Sequence, residues 1–187
     1  MIARLSIYSL TLLILPWQVA LAQSGSVHIE QVGRDIDADV TQRDGVGSTA
    51  EISQHGTSLE LELLQDGSHH TAELSQNGSD NSMDISQFGE RNQVDASQSG
   101  DGNSIFLLQD GVDNLAYFLQ EGSDNFARAN QNGRGNSLSV TQIGNSNFSE
   151  DVQNGSGNSI EKSQIGNGWS AIVEQHGSGL SVSIKQE

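Results

Sequence analysis

The sequence predicts an all-β chain, folded as a β-solenoid (β-helix) of about fifteen strand-turn units, two strands to each coil of about 22 residues. Three observations carry that expectation. Glutamine returns every eleven residues along almost the whole chain. Glycine follows nearly every one of those glutamines at a distance of two. The residues in between alternate, with one face apolar and the other polar.

The chain opens with MIARLSIYSLTLLILPWQVALA. Arg4 supplies a positive start, Leu5 to Leu15 an apolar run, and Ala20-Leu21-Ala22 a small-residue cleavage site. Residues 1–22 are therefore expected to be a secretory signal peptide and residues 23–187 a single repeat domain. The alternative is an uncleaved anchor, but the apolar stretch is short for a spanning helix. No other stretch is apolar enough, so no membrane span is expected in the mature chain.

The formal net charge of −16, with no cysteine and the single proline Pro16, limits what the rest can be. A secreted chain without cysteine must be held by packing and backbone pairing. Its acidity argues against nucleic acid or an anionic membrane as partner. Abundant Gly, Ser, Asn and Asp would ordinarily indicate disorder. The repeat overrides that composition.

The repeating glutamines are Gln31, Gln42, Gln54, Gln65, Gln76, Gln87, Gln98, Gln109, Gln120, Gln131, Gln142, Gln153, Gln164, Gln175 and Gln186. Every interval is eleven except that from Gln42 to Gln54, which is twelve, within RDGVGS, where Gly45 takes the glycine place. Asparagine stands five residues after glutamine in eight successive units: Asn81, Asn92, Asn103, Asn114, Asn125, Asn136, Asn147 and Asn158. In NSLSVTQ, Asn136, Leu138, Val140 and Gln142 share one face, and Ser137, Ser139 and Thr141 the other. Period two means a strand with one buried face. Gln-x-Gly-x-x then turns the chain.

A buried amide must satisfy two donors and an acceptor, and an identical amide stacked above and below does so. The eight glutamines from Gln65 to Gln142 and the eight asparagines are thus the candidate ladder residues. The competing reading, that they only form turns, fits glutamine poorly, because it lies at the inward parity. At the two ends of the stack, unpaired backbone edges are expected to recruit further chains. The candidate end-to-end assembly residues are Gln31, Gln42, Trp169, Gln175, Leu180 and Gln186. The asparagine place is apolar near both ends, at Ile36, Leu59, Trp169 and Leu180, which is either a pair of adhesive ends or drift of the repeat.

QDGVDNLAYFLQ and QEGSDNFARANQ match Gln-x-Gly-x-x-Asn-x-Ala-x-x-x-Gln at every defined position. In this the chain resembles the curlin family, the subunits of bacterial curli fibres, over residues 25–186. The resemblance implies an extracellular functional amyloid at the bacterial cell surface, serving biofilm matrix, adhesion and cell aggregation. It implies self-association, other curlin subunits as partners, and export as an unfolded chain through the periplasm by curli-type secretion and accessory proteins. The uniform spacing and the NLAY segment are somewhat more similar to the minor, nucleating subunit. A monomeric secreted adhesin or ice-binding solenoid remains the alternative, although ice binders present flat Thr-rich faces and the outward residues here are mixed and charged. A polysaccharide-acting β-helix would need longer coils and a cleft.

Smaller signals complete the reading. Asp37, Asp39, Glu60 and Glu62 make the outward face acidic, as gatekeepers against early aggregation or simply for solubility. Phe106, Leu108, Tyr117 and Leu119 lie outward on opposite sheets, either as a lateral contact surface or as drift. Asp151 and Lys162 fall at inward positions eleven apart. Either they pair across the core or the strand from Phe148 to Val152 flips or bulges, and local distortion is the reading preferred here. The five histidines, His28, His55, His69, His70 and His176, show no metal-ligand spacing. Loops such as GSDN leave open only a weak calcium association with the acidic surface. No catalytic, cofactor-binding or metal-binding residue is expected.

Overall fold

The computed structural model describes residues 25–44 and 46–187; the expected signal peptide and Gly45 lie outside the described residues. The alternating segments form thirteen strands: β1 (Ser26–Arg43), β2 (Thr49–Ser68), β3 (Thr71–Ser79), β4 (Ser82–Glu90), β5 (Gln93–Asp101), β6 (Ser104–Val112), β7 (Leu115–Ser123), β8 (Phe126–Arg134), β9 (Ser137–Asn145), β10 (Phe148–Ser156), β11 (Ser159–Ile165), β12 (Ser170–Ser178) and β13 (Ser181–Gln186). There is no helix among the described residues. The strand units expected from the sequence number fifteen and the strands thirteen, because β1 and β2, at 18 and 20 residues, run through a corner without a break.

All pairing is parallel, and the result is a β-solenoid of about seven turns. Even-numbered strands stack in the order β2-β4-β6-β8-β10-β12 and odd-numbered ones as β2-β3-β5-β7-β9-β11-β13, with β2 contributing to both. Partners lie 22 residues apart, as in Gln76↔Gln98 and Gln87↔Gln109. Between β1 and β2 the offset is 23, as in Gln31↔Gln54 and Gln42↔Gln65. The one extra residue is absorbed in the connection between them, and glutamine still meets glutamine.

The core is thin. Each central strand sends two small apolar side chains inward, such as Leu138 with Val140 or Ala127 with Ala129. An inward Asn precedes them and an inward Gln follows them. Phe118, 0% exposed, is the largest side chain in this layer. So narrow a core leaves no cleft at its centre, and the buried amides lie within it rather than around it.

The corners explain the glycines. Gly111 has φ 130°, and a Cβ there would lie 1.9 Å from the carbonyl oxygen of Gly133 in the next turn of the stack. Both the left-handed backbone and the close approach of the chain above demand glycine. A second left-handed residue follows two places later, at Asp113 (φ 59°) and Asp124 (φ 56°), where Asp and Gly are the tolerant types.

The expected distortion around Asp151 does not occur. Strand β10 keeps its parity, with Phe148 and Val152 on the outer, half-buried side and Asp151 inward, 2% exposed, beside Lys162 at 1%. Local partners, described below, make the inward placement tolerable.

Candidate functional site: amide ladders and open strand edges

Glutamines form two continuous columns. From Gln31 through Gln54, Gln76, Gln98, Gln120, Gln142 and Gln164 to Gln186, each Nε2 donates to the Oε1 of the next at 2.7–3.0 Å. The second column, from Gln42 through Gln65, Gln87, Gln109, Gln131 and Gln153 to Gln175, repeats the arrangement over the same range. The other Nε2–H reaches across the core to a backbone carbonyl of the facing strand, as from Gln109 to Gln93 at 3.0 Å. From Gln54 to Gln164 both amide protons are thereby used. The cross-core bond is what holds two stacks of strands at one separation.

Asparagines form the complementary columns, and their donors point the other way. Asn114 Oδ1 accepts from both the backbone N and the Nδ2 of Asn136, at 3.1 Å each. Asn114 Nδ2 donates to Asn92 Oδ1 and to the Gly133 carbonyl, both at 3.2 Å. The side chain thus caps a backbone N–H that the corner would otherwise leave without a strand partner. Asn103, Asn125 and Asn147 follow the same scheme, whereas Asn81 Nδ2 donates to the Asn77 and Gly100 carbonyls and Asn158 Nδ2 to that of Gly177. All eight asparagines and the glutamines from Gln54 to Gln164 are at most 1% exposed, and no buried side-chain polar atom among the described residues lacks a partner.

Two members of these columns escape a reading by residue type. His70 stands five after Gln65, in the asparagine place, and is fully buried. Its Nδ1 accepts from the Asn92 backbone N at 3.3 Å, and its Nε2 lies 3.3 Å from the Asp66 carbonyl. That pair of contacts calls for the neutral ring with the proton on Nε2. Burial depresses the His70 pKa, with the Asp66 and Asn92 backbones opposing part of the effect. Ser48, six after Gln42 because of the inserted residue, begins this column by accepting from the His70 backbone N at 3.2 Å. Position within the repeat, rather than residue type, was the signal that could have found both.

At the far end, Trp169 and Leu180 occupy the asparagine place and donate their backbone N to Asn147 and Asn158 Oδ1, each at 3.0 Å. The indole Nε1 bonds the Ile165 carbonyl four residues back, as Asn92 Nδ2 bonds Phe88. Neither side chain offers an acceptor onward, so the asparagine columns stop there. The glutamine columns do not stop in kind. Among the described residues no glutamine donates to the Oε1 of Gln31 or Gln42, and no glutamine accepts beyond the Nε2 of Gln175 or Gln186. Strands β1, β12 and β13 each pair on one side only.

In β10 and β11 a charged cluster replaces core hydrophobes. Lys162 Nζ donates to Asp151 Oδ1 (2.7 Å), Ser149 Oγ (3.0 Å) and the Ala171 carbonyl (3.0 Å), and Ser149 Oγ donates to Asp151 Oδ2 (2.7 Å). All three ammonium protons are used. Burial still raises the Asp151 pKa and lowers that of Lys162, with their mutual attraction opposing both shifts.

The family model for the curlin associated repeat matches the chain four times, over residues 56–89, 78–111, 103–133 and 113–144. The chain belongs to the curlin-repeat family. The matched stretches carry the Gln, Gly and Asn places described above. Curlins are structural fibre subunits, secreted and extracellular, and not enzymes. No curated protein matches this chain. No helix among the described residues is long and apolar enough to cross a membrane.

Proposed function

We propose that this curlin-repeat protein is a subunit of a curli-type extracellular amyloid fibre, built from fifteen strand units at two to a coil. Residues 1–22 direct export and are removed, and the mature chain leaves the periplasm unfolded through curli-type secretion and accessory proteins. At the cell surface it assembles with itself and with other curlin subunits, contributing to biofilm matrix, adhesion and aggregation. The near-uniform repeat favours a nucleating role.

One observation carries the reading: the glutamine columns end in opposite chemistry. Strand β1 presents amide oxygens, at Gln31 and Gln42, and β12 and β13 present amide N–H groups, at Gln175 and Gln186. Both ends also present an unpaired strand edge. A second chain set with its β1 edge on that surface continues both backbone pairing and amide columns. Leu180 and Ile36, apolar where an asparagine would need a partner, belong at such a junction.

The test is thioflavin-T kinetics on purified residues 23–187, alone and in trace amounts with a major curlin, together with fibre diffraction. Unseeded growth with cross-β spacings is the expected result, and acceleration of the major curlin supports nucleation. A folded monomer that never grows would overturn the reading in favour of a solitary binding solenoid.

A further inference from the structure

The acidic outer faces are interrupted on both sides of the solenoid near the middle of the stack. On the odd face, Glu51, Glu73 and Asp95 succeed one another in register and then give way to Tyr117. On the even face, Glu62 and Asp84 give way to Phe106 and then Arg128. Phe106, Leu108, Leu115 and Tyr117 are 36–43% exposed. Phe126 packs on Phe106, centroids 5.5 Å apart, and stacks on Phe148 at 5.4 Å, which makes the even patch rigid. Exposed apolar side chains on the successive strands β6 and β7, with half-buried Phe126 of β8 beside them, mark a contact surface in a chain otherwise this acidic.

We propose that these two patches dock on one another between neighbouring copies, so that filaments pack side by side by translation along the sheet normal. The inference rests on the fibre reading above. Strands on the two faces run in opposite directions: Lys162, two before its glutamine, reaches Ser149 and Ala171, each four before its own, as well as Asp151. The residue three before glutamine is therefore the common pivot, and one before on one face aligns with five before on the other. A copy displaced along the normal then brings Tyr117 over Phe106 and Arg128, all three being pivot residues. Leu115, five before, meets Leu108, one before. Leu119, one before, meets Phe126, five before. Every apolar side chain of one patch finds an apolar partner in the other without rotation.

The charged neighbours agree. The Arg128 side chain is 66% exposed and only loosely paired with Glu150, at 3.9 Å, so its guanidinium is available to the Tyr117 ring of the neighbour. Asp84 and Asp95 flank the contact on opposite faces, so docking strengthens as salt screens them. A contact made by translation joins different surfaces on the two copies. It does not close on itself and repeats from filament to filament.

The experiment is electron microscopy of filaments grown from residues 23–187 and from Phe106→Asp, Tyr117→Lys and the double variant. Both sites point outward, away from the core. The unchanged chain is expected to bundle, each single variant to give separate filaments, and the double variant to recover bundling, because the new carboxylate on one face meets the new ammonium on the other. Filaments of the unchanged chain that stay separate, or single variants that bundle undiminished, overturn the lateral contact while leaving the fibre reading intact. If the unchanged chain forms no filament at all, the fibre reading fails and this inference with it.

Discussion

His70 shows how one position can be filled by different chemistry. An asparagine there would accept from the Asn92 backbone N through Oδ1; the imidazole does so through an unprotonated Nδ1. Because burial lowers the folded-state pKa below the ordinary 6.5, the unfolded chain takes up the proton first as pH falls. The stability that neutral His70 contributes is therefore complete above pH 6.5 and is lost progressively as pH drops through that value towards the folded pKa. His70→Asn is expected to change stability by no more than about 1 kcal/mol at pH 7.5, since one ladder residue replaces another. It should also flatten the decline between pH 7 and 5. Urea midpoints of the two proteins across that range check both points; parallel curves would assign the pH dependence to the carboxylates instead. The glycines divide in the same residue-by-residue way. Gly111→Ala drives a Cβ into the Gly133 carbonyl, so the stack must open there, whereas a Cβ on Gly135 (φ 64°) meets nothing within 4 Å. Gly135→Ala should cost roughly 1–2 kcal/mol from its left-handed backbone alone. Gly111→Ala should cost several-fold more, as read from thermal or urea unfolding.

At the scale of elements, the packing of β10 against β11 across the core turns on a charged cluster that a hydrophobic pair could replace. Lys162→Met removes the cation and leaves Asp151 buried with only Ser149 as donor, a loss of about 3–5 kcal/mol. The double change Asp151→Leu with Lys162→Met is expected to restore or exceed the original stability, by up to about 4 kcal/mol. Chemical denaturation of the three proteins measures this, and a double variant as weak as the single would mean the cluster itself sustains the local fold. The strand-and-corner plan was legible in the sequence because each column repeats one residue type: Gln inward at the strand end, Gly at the corner, Asn at the strand start. What stayed hidden depended on the closed coil. The Ser149 hydroxyl and the Ala171 carbonyl, which make the inward Lys162 tolerable, come to it only when β10, β11 and β12 are in place. His70 and Ser48 join their column by position alone. The corners within β1 and β2 read as ordinary turns, because unbroken pairing along both strands is not a local property of the residues.

At the scale of the whole molecule, two tendencies compete. Parallel in-register stacking places like carboxylates beside one another, as in Glu51↔Glu73 and Glu73↔Asp95, on a chain of net charge −16. Assembly should therefore speed up several-fold between about 10 and 150 mM salt, as the screening length shortens from about 30 to 8 Å. The half-time of thioflavin-T growth is the measure, and insensitivity to salt would mean the outer charges do not control addition. Inside, the two glutamine columns donate towards β12 and β13 and the asparagine columns donate towards β1. An amide is a dipole, and columns all aligned one way would leave partial charges of opposite sign at the two ends of the stack, as aligned peptide units do in a helix. Here the glutamine and asparagine dipoles oppose one another. The two ends of the stack therefore hold less opposite charge than parallel columns would leave there, which spares the joining surfaces part of the cost of desolvation.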